Sequence, residues 1–339
     1  MKYLFLSPKD DNYTFYYSDL LKNKDVLWVN TSFNKKGLIG FLYGIHISKK
    51  LNRIINIPFK DIWIQNYKTK KIKDFIKTDE KCIVLVFRHS FFLFYRHSYE
   101  KWLKRINTNI KICFLFADIV ASYKKGFDIN IAKNKFDALF SFDKEDSEKY
   151  GLVYYPHVVP FPANIEIQNA RGGGGQKYSI YFMGRAKNRL NLLVEIYKKL
   201  KQNGIKVLFE IAGAKESERI FFDENFKYID FISYKEYLKR CSNADCLLEV
   251  MQSTSNTGYT TRVLEAISLN KKLISNNQDL INAPFYDKKM LSTFTSENDF
   301  NIEFLNKTNT PLHWNYDSYQ YSADKLLSFL REYLYKKDK

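Results

Sequence analysis

Residues 245–276, DCLLEVMQSTSNTGYTTRVLEAISLNKKLISN, constrain the fold of this chain more tightly than any other stretch. Residues 245–250 are a short apolar run closed by polar residues, which suits a buried strand. Residues 253–258 (STSNTG) are loop formers. Over 259–270, Val263, Leu264 and Ile267 recur at helical spacing, and residues 272–275 re-enter a strand. Strand, loop, helix, strand is the unit of α/β folds. A loop of small residues feeding a helix start exposes unpaired N–H groups at the positive end of the helix dipole, which suits a phosphate. Glu265 follows Thr261 by four positions and Gly258 by seven, which puts the three on one helix face. A carboxylate there can accept hydrogen bonds from sugar hydroxyls. A packing helix with a solvated glutamate has the same local pattern, and only the flanking sequence separates the two.

That flanking sequence repeats the alternation. Residues 178–183 form a strand that runs into Gly184-Arg185-Ala186-Lys187-Asn188-Arg189. A helix follows, with Leu190, Leu193, Ile196, Tyr197 and Leu200 at its spacing and Gly204 as its stop. Three bases at a helix start oppose the dipole unless an anion binds there. Strands at 206–211 and 228–232 come next, then a capping box, Ser233 to Glu236, opening a helix over 233–242. In the N-terminal half, strands are expected at 2–7, 28–30, 82–87, 111–116 and 137–142. The aromatic, basic stretch 88–105 reads as a helix, and Asp143 and Gly151 bracket another. His89 and Asp118 each stand just past a strand end, where open parallel sheets place their ligands. Either can act as a base or orient an acceptor, and either can be a loop cap. Residues 316–335 read as a closing helix pair.

Alternating strands and helices in a chain of 339 residues argue two α/β domains with mainly parallel sheets. The boundary falls where Arg171 precedes four glycines; no Lys-Ser/Thr follows them, so they read as a linker rather than a phosphate loop. The expected layout is an N-terminal domain over 1–165, a linker over 166–177, a C-terminal domain over 178–315 and closing helices over 316–339.

With the motifs in order, the chain resembles glycosyltransferases of the GT-B architecture, well over about residues 178–280 and loosely before them. The matching pieces are the Gly184-Arg185 turn, the loop from Gly258 to Thr261, the helix carrying Leu264-Glu265-Ala266 and the strand at 272–275. The resemblance implies two facing Rossmann-like domains, with a C-terminal helix crossing back to the first. It implies nucleotide-sugar binding by Gly184, Arg185, Lys187, Arg189, Thr257, Gly258, Thr260, Thr261 and Glu265, with Asp118 and His89 as catalytic candidates. Many retaining members carry a second glutamate eight positions before the helical one; here that position is Thr257. The family's lysine five positions after the arginine is Leu190 here, so Lys187 or Arg189 takes its place. No Asp-x-Asp occurs in the chain, so no metal is expected, and no cofactor beyond the nucleotide-sugar substrate.

Charge points to the partners. Residues 1–110 hold 21 Lys+Arg against 9 Asp+Glu, most of the net +17. An anionic membrane surface answers this bias, with Lys49, Lys50 and Arg53 at the headgroups, Phe41, Leu42 and Tyr43 inserted, and Phe91, Phe92, Phe94 and Tyr95 interleaved. A helix pair packed over the first sheet is the alternative for 37–64. Nucleic acid would also answer the charge, but no recognition motif for it is present. The four cysteines, Cys82, Cys113, Cys241 and Cys246, form no metal-ligand or disulfide pattern. The N-terminal apolar run is too short for a signal peptide, and no run approaches the ~18 residues of a membrane span. The expected protein is therefore cytoplasmic and peripheral at the inner face of the membrane. It moves a sugar onto a glycan or lipid-linked acceptor in bacterial surface polysaccharide synthesis. An epimerase acting on a nucleotide-sugar is the rival on the same fold.

Overall fold

The computed structural model describes residues 1–7, 15–31, 37–46, 48, 51–55, 57–59, 62–63, 69–91, 93–94, 98–123, 127–159, 177–230, 232–251, 257–306 and 312–335. The chain forms two compact units: residues 1–156 with 323–339, and residues 157–322. The glycine-rich linker expected at 166–177 lies almost wholly outside the described residues.

The first unit is a parallel sheet of six strands: β1 (Lys2–Ser7), β2 (Val26–Asn30), β3 (Cys82–Phe87), β4 (Ile110–Leu115), β5 (Ala138–Ser141) and β6 (Val153–Tyr154), in the order β2-β1-β3-β4-β5-β6. All six residues of β3 are buried, as a central parallel strand covered on both faces requires. Helices α1 (Gly37–His46), α2 (Leu51–Ile54), α3 (Thr69–Phe75), α4 (Tyr99–Ile106), α5 (Ile129–Lys135) and α6 (Lys144–Tyr150) connect the strands. Helix α6 shows why local sequence sets its ends. The Asp143 side chain accepts from the Asp146 amide at 2.9 Å, and Gly151 closes the helix at φ 60°.

The second unit is again six parallel strands: β7 (Tyr178–Arg185), β8 (Val207–Ala212), β9 (Phe226–Ile229), β10 (Ala244–Glu249), β11 (Lys272–Ser275) and β12 (Leu291–Thr293), ordered β12-β11-β10-β7-β8-β9. Connections run outward to β8 and β9 on one side of β7, and through β10, β11 and β12 on the other. The β7–β10 seam is thus the topological switch point, where open α/β sheets leave a crevice at their strand C-termini. Helices α7 (Leu190–Gln202), α8 (Tyr234–Ser242) and α9 (Thr261–Ser268) belong to this unit.

Helix α10 (Ala323–Tyr335) returns to the first unit. The Tyr335 hydroxyl donates to the Cys82 and Asn109 carbonyls at 3.0 and 2.5 Å, and Phe329 packs on Tyr155 and Phe140. The return begins at Ala323, not 316, because the turn Ser318–Tyr321 belongs to the second unit. The Val159 amide donates to the Tyr321 carbonyl, which also draws residues 157–159 into the second unit, ahead of the boundary expected at 165.

Two further expectations are corrected. The stretch 88–105 is not one helix: a short turn, Arg88–Ser90, follows β3, and α4 starts only after Ser98, which is left-handed at φ 50°. Among the aromatics expected at a membrane, Tyr43, Phe91 and Phe94 are buried; Phe91 and Phe94 pack with Phe114 and Phe136 in the first core. The side chains of Phe92 and Tyr95 lie outside the described residues. All four cysteines are buried and unpaired.

His157 opens the second unit, half-buried, and desolvation holds its imidazole down at about 4. A base whose folded value lies below its unfolded 6.5 resists protonation in the fold, so its contribution is complete above pH 6.5 and is lost as pH falls toward 4. Urea unfolding of wild type should therefore lose up to about 3 kcal/mol across that window relative to His157→Gln. Parallel pH profiles for the two proteins would assign the acid sensitivity elsewhere.

Candidate functional site

The C-terminal edge of the second sheet gathers the residues singled out above. Strand β7 ends in Gly184-Arg185, and the chain turns through Lys187–Arg189 into α7. Lys187 holds a left-handed φ of 44°. A methyl group added at Gly184 would sit 2.6 Å from Arg189 Nη2 and 3.1 Å from the Phe182 ring, so glycine is needed there to seat the Arg189 guanidinium. Arg189 donates through Nε to the Arg185 carbonyl at 3.0 Å and through Nη1 to the Val250 carbonyl. Arg185 and Lys187 remain exposed. Arg189 is committed to backbone carbonyls, and Lys187 is exposed.

Across the seam, α9 begins at Thr261 rather than 259, so Gly258 lies outside the helix, where its carbonyl accepts from Asn277 Nδ2 at 3.2 Å. Thr257 is half-buried. Thr260 occupies the N-cap position, yet its hydroxyl does not cap. It donates instead to Glu249, the last residue of β10. Ser275 Oγ donates to the other Glu249 oxygen at 2.5 Å. Asn276 clamps the amide and carbonyl of Met251, at 2.6 and 3.3 Å. The β10–α9 loop is therefore anchored at both ends, and the first turn of α9 lacks a cap from its N-cap side chain.

Arg262 binds the two halves together. Its Nη1 donates to the Leu248 carbonyl on β10 at 2.9 Å, and its Nη2 to the Met183 carbonyl on β7 at 2.5 Å. Its Nε lies 3.7 Å from Glu265 Oε2. Glu265 does not offer a bare carboxylate to a ligand, as its spacing led one to expect. It is 3% exposed, and the hydroxyls of Tyr234 and Tyr237 donate to its two oxygens at 2.7 and 2.6 Å. The helical spacing that aligned it with Thr261 turns it inward, toward α8. There its carboxylate accepts from two tyrosines and lies 3.7 Å from Arg262.

The electrostatics follow from burial. Burial, then proximity to Arg262, holds the Arg189 guanidinium down to about 10. Burial raises the Glu249 carboxyl above the usual carboxylate range, against the opposing pull of Ser275, Thr260 and both arginines. Arg189 and Arg262 thus share Glu249, and Glu265 faces Arg262 through a 3.7 Å gap. Exposed Arg185 and Lys187 and the uncapped helix start add positive potential at the same edge. The arrangement suits a diphosphate.

Sequence reasoning missed Arg262, Glu249, Tyr234 and Tyr237. The available signals were an arginine three positions before Glu265, and an acid closing an otherwise apolar strand.

In the first unit, Asp118 lies just beyond β4, ion-paired to Arg88, whose guanidinium stacks 4.5 Å from the Tyr123 ring centre. His89 sits on the turn after β3; its side chain lies outside the described residues. Among the described residues, no three His, Cys, Asp or Glu side chains are grouped to hold a metal ion.

No protein-family model and no curated protein matches the sequence. Solved structures do match in fold. An α-glucosyltransferase, solved with UDP and a 13-mer DNA containing a central A:G mismatch, is 13% identical, with 99% of this chain and 94% of that chain covered and a TM-score of 0.53. Anabaena HepE, solved with UDP and glucose, is 12% identical over 88% of this chain and 87% of its own, at a TM-score of 0.51. A Listeria monocytogenes protein assigned as a UDP-N-acetylglucosamine 2-epimerase is 11% identical over 99% and 97%, at 0.50. With two six-stranded parallel sheets, the chain has the two-domain α/β architecture of these GT-B structures.

Removing one partner from a buried charge pair leaves the other uncompensated, at a cost of about 3–5 kcal/mol. Arg262→Met should lower unfolding stability by that order in a urea titration. Arg262→Lys should recover little, because one ammonium cannot reach both carbonyls with the geometry of the guanidinium fork. Stability close to wild type for Arg262→Met would mean the arginine is not the brace described.

Proposed function

We propose that this protein is a glycosyltransferase that moves a hexose from a nucleotide-sugar to a lipid-linked or growing glycan acceptor, without a metal ion or other cofactor. The observation that carries the proposal is the convergence of Arg185, Lys187 and the start of α9, which Thr260 does not cap, on one sheet edge, over the half-buried Arg189–Arg262 pair. A nucleotide-sugar reaction expels a diphosphate, and charge develops on that leaving group in the transition state. Preorganised donors and cations stabilise it there without reorganising. Arg185 and Lys187 make the direct contacts; Arg189 and Arg262 supply fixed positive potential from behind. The Thr257–Thr261 segment supplies backbone N–H groups. Asp118, oriented by Arg88, and His89 activate the acceptor from the C-terminal edge of the first sheet.

The basic first unit supports an acceptor at an anionic membrane. We place the reaction on the cytoplasmic side, in surface polysaccharide (capsule or lipopolysaccharide) assembly. No helix among the described residues is long and apolar enough to cross a membrane. The absence of nucleic-acid recognition motifs argues against nucleic acid as the partner.

A thermal-shift series separates the contacts. A nucleoside diphosphate at a hundred times its dissociation constant should stabilise the protein by about 2.7 kcal/mol. Arg185→Ala should lose affinity for the diphosphate and keep that for the nucleoside; equal losses would make the arginine structural. No shift with any nucleotide or nucleotide-sugar would overturn the proposal, and an isomerised donor without transfer would select the epimerase.

The acceptor side is tested by Asp118→Asn. Loss of a general base costs roughly 10²–10⁴ in rate. The variant should lose turnover on that scale while its donor-induced thermal shift stays at the wild-type value. Unchanged turnover would remove Asp118 from catalysis and leave His89 to be tested in the same way.

A further inference from the structure

Helix α1 turns an apolar face to solvent. Its buried positions, Gly40 and Tyr43, are three apart and form a narrow inner stripe. Outside that stripe Leu38, Ile39 and Phe41 are 72%, 63% and 64% exposed, and Leu42 and Ile45 are exposed too. No charged residue lies between Gly37 and His46. The segment that follows continues the pattern with Ile54, Ile55, Phe59 and Ile62 exposed. Exposed apolar area on this scale marks an interaction surface in soluble proteins.

The surface is held in shape. The Tyr43 ring meets Trp63 edge-on at 5.3 Å. Trp63 Nε1 donates to His46 Nδ1 at 2.8 Å, and His46 Nε2 donates to the Pro58 carbonyl at 2.5 Å. These contacts tie the end of α1 to the turn at Phe59, whose φ of 57° is left-handed and whose ring is 78% exposed.

Charge selects the occupant. Residues 26–62 contain Lys35, Lys36, Lys49, Lys50, Arg53 and Lys60 against a single acid, Asp61. A second copy of the chain would bring the same cations against themselves. A nucleic acid would answer the cations, but it stacks on aromatic rings and offers nothing to bury Leu38, Ile39 and Leu42. An anionic bilayer answers both, with headgroups for the bases and the acyl boundary for the aliphatic side chains. We infer that α1 and the segment 54–62 dock the first unit on an anionic membrane, with the Leu38, Ile39, Phe41 and Leu42 face inserted. This deepens the membrane-side reading of the proposed function by assigning its surface.

The test is co-sedimentation of the full chain with vesicles of phosphatidylcholine, alone or mixed with phosphatidylglycerol, at low and high salt. Wild type should bind the mixed vesicles, and salt should weaken the binding. A Leu38→Ser, Ile39→Ser, Phe41→Ser triple variant removes only exposed side chains and should melt like wild type in buffer. It should lose roughly tenfold or more in vesicle affinity. Lys49→Glu with Lys50→Glu should also bind less and lose much of the salt dependence. Wild type left in the supernatant at low salt, or vesicle binding unaffected by the triple variant, would overturn the assignment. A lipid-free dimer that the triple variant disperses would overturn it too, in favour of a second copy. The assay contains no donor. Vesicle binding without any nucleotide-induced thermal shift would thus leave the docking surface standing and sink the transferase, and the reverse result would do the opposite.

Discussion

The Arg262 guanidinium is the interaction on which the second unit's ligand edge depends. A buried cation must be paired and hydrogen-bonded, or the fold loses several kcal/mol. This one donates through both Nη atoms to carbonyls of the two strands that flank the switch point, while its Nε, without a hydrogen-bond partner, faces at 3.7 Å a glutamate held between two tyrosines. Helix α9 therefore cannot shift without breaking contacts to β7 and β10 together. Arg189 makes a parallel connection from the other side of the seam, through the Val250 carbonyl. The crevice that an open parallel sheet creates by topology is thus lined by rigid, positively charged walls.

Rigidity there has a chemical meaning. Donors that must swing into place lose part of their effect to reorganisation, whereas donors fixed before the reaction do not. The Glu249 cluster with Thr260 and Ser275 diverts the N-cap hydroxyl of α9. The helix start, without a cap from Thr260, lies on the same sheet edge as exposed Arg185 and Lys187.

The fold was legible because its signals are local. β1 and β3 occupy the residues their apolar runs marked, and Asp143 and Ser233 cap the helices they were expected to open. Gly184 and Arg185, expected just past the strand at 178–183, lie within β7, and the turn comes at Lys187–Arg189. Arg262 was not legible, because its partners come from strands and helices distant in sequence. Glu265 was given the wrong direction: spacing fixes which residues share a helix face but not whether that face looks at solvent or at α8. Tyr43, Phe91 and Phe94 were misread because aromatic and basic residues are intermixed along 37–105, and burial separates them only in three dimensions. The inner stripe of α1 is two residues wide, too narrow to register against a helix that is apolar nearly all round.

Helix α10 has a consequence for how the chain is made. The second unit is a single continuous segment, whereas the first is assembled from two segments with the second unit between them. During synthesis, domains fold as they emerge. The surface of β5 that receives Phe329 and Tyr333, and the Cys82 carbonyl that receives Tyr335, must wait until all of residues 157–322 have been translated. The unit translated first is thus completed last. Until then its sheet carries an uncovered aromatic strip, and that interval is when the nascent protein is most open to aggregation and to chaperones.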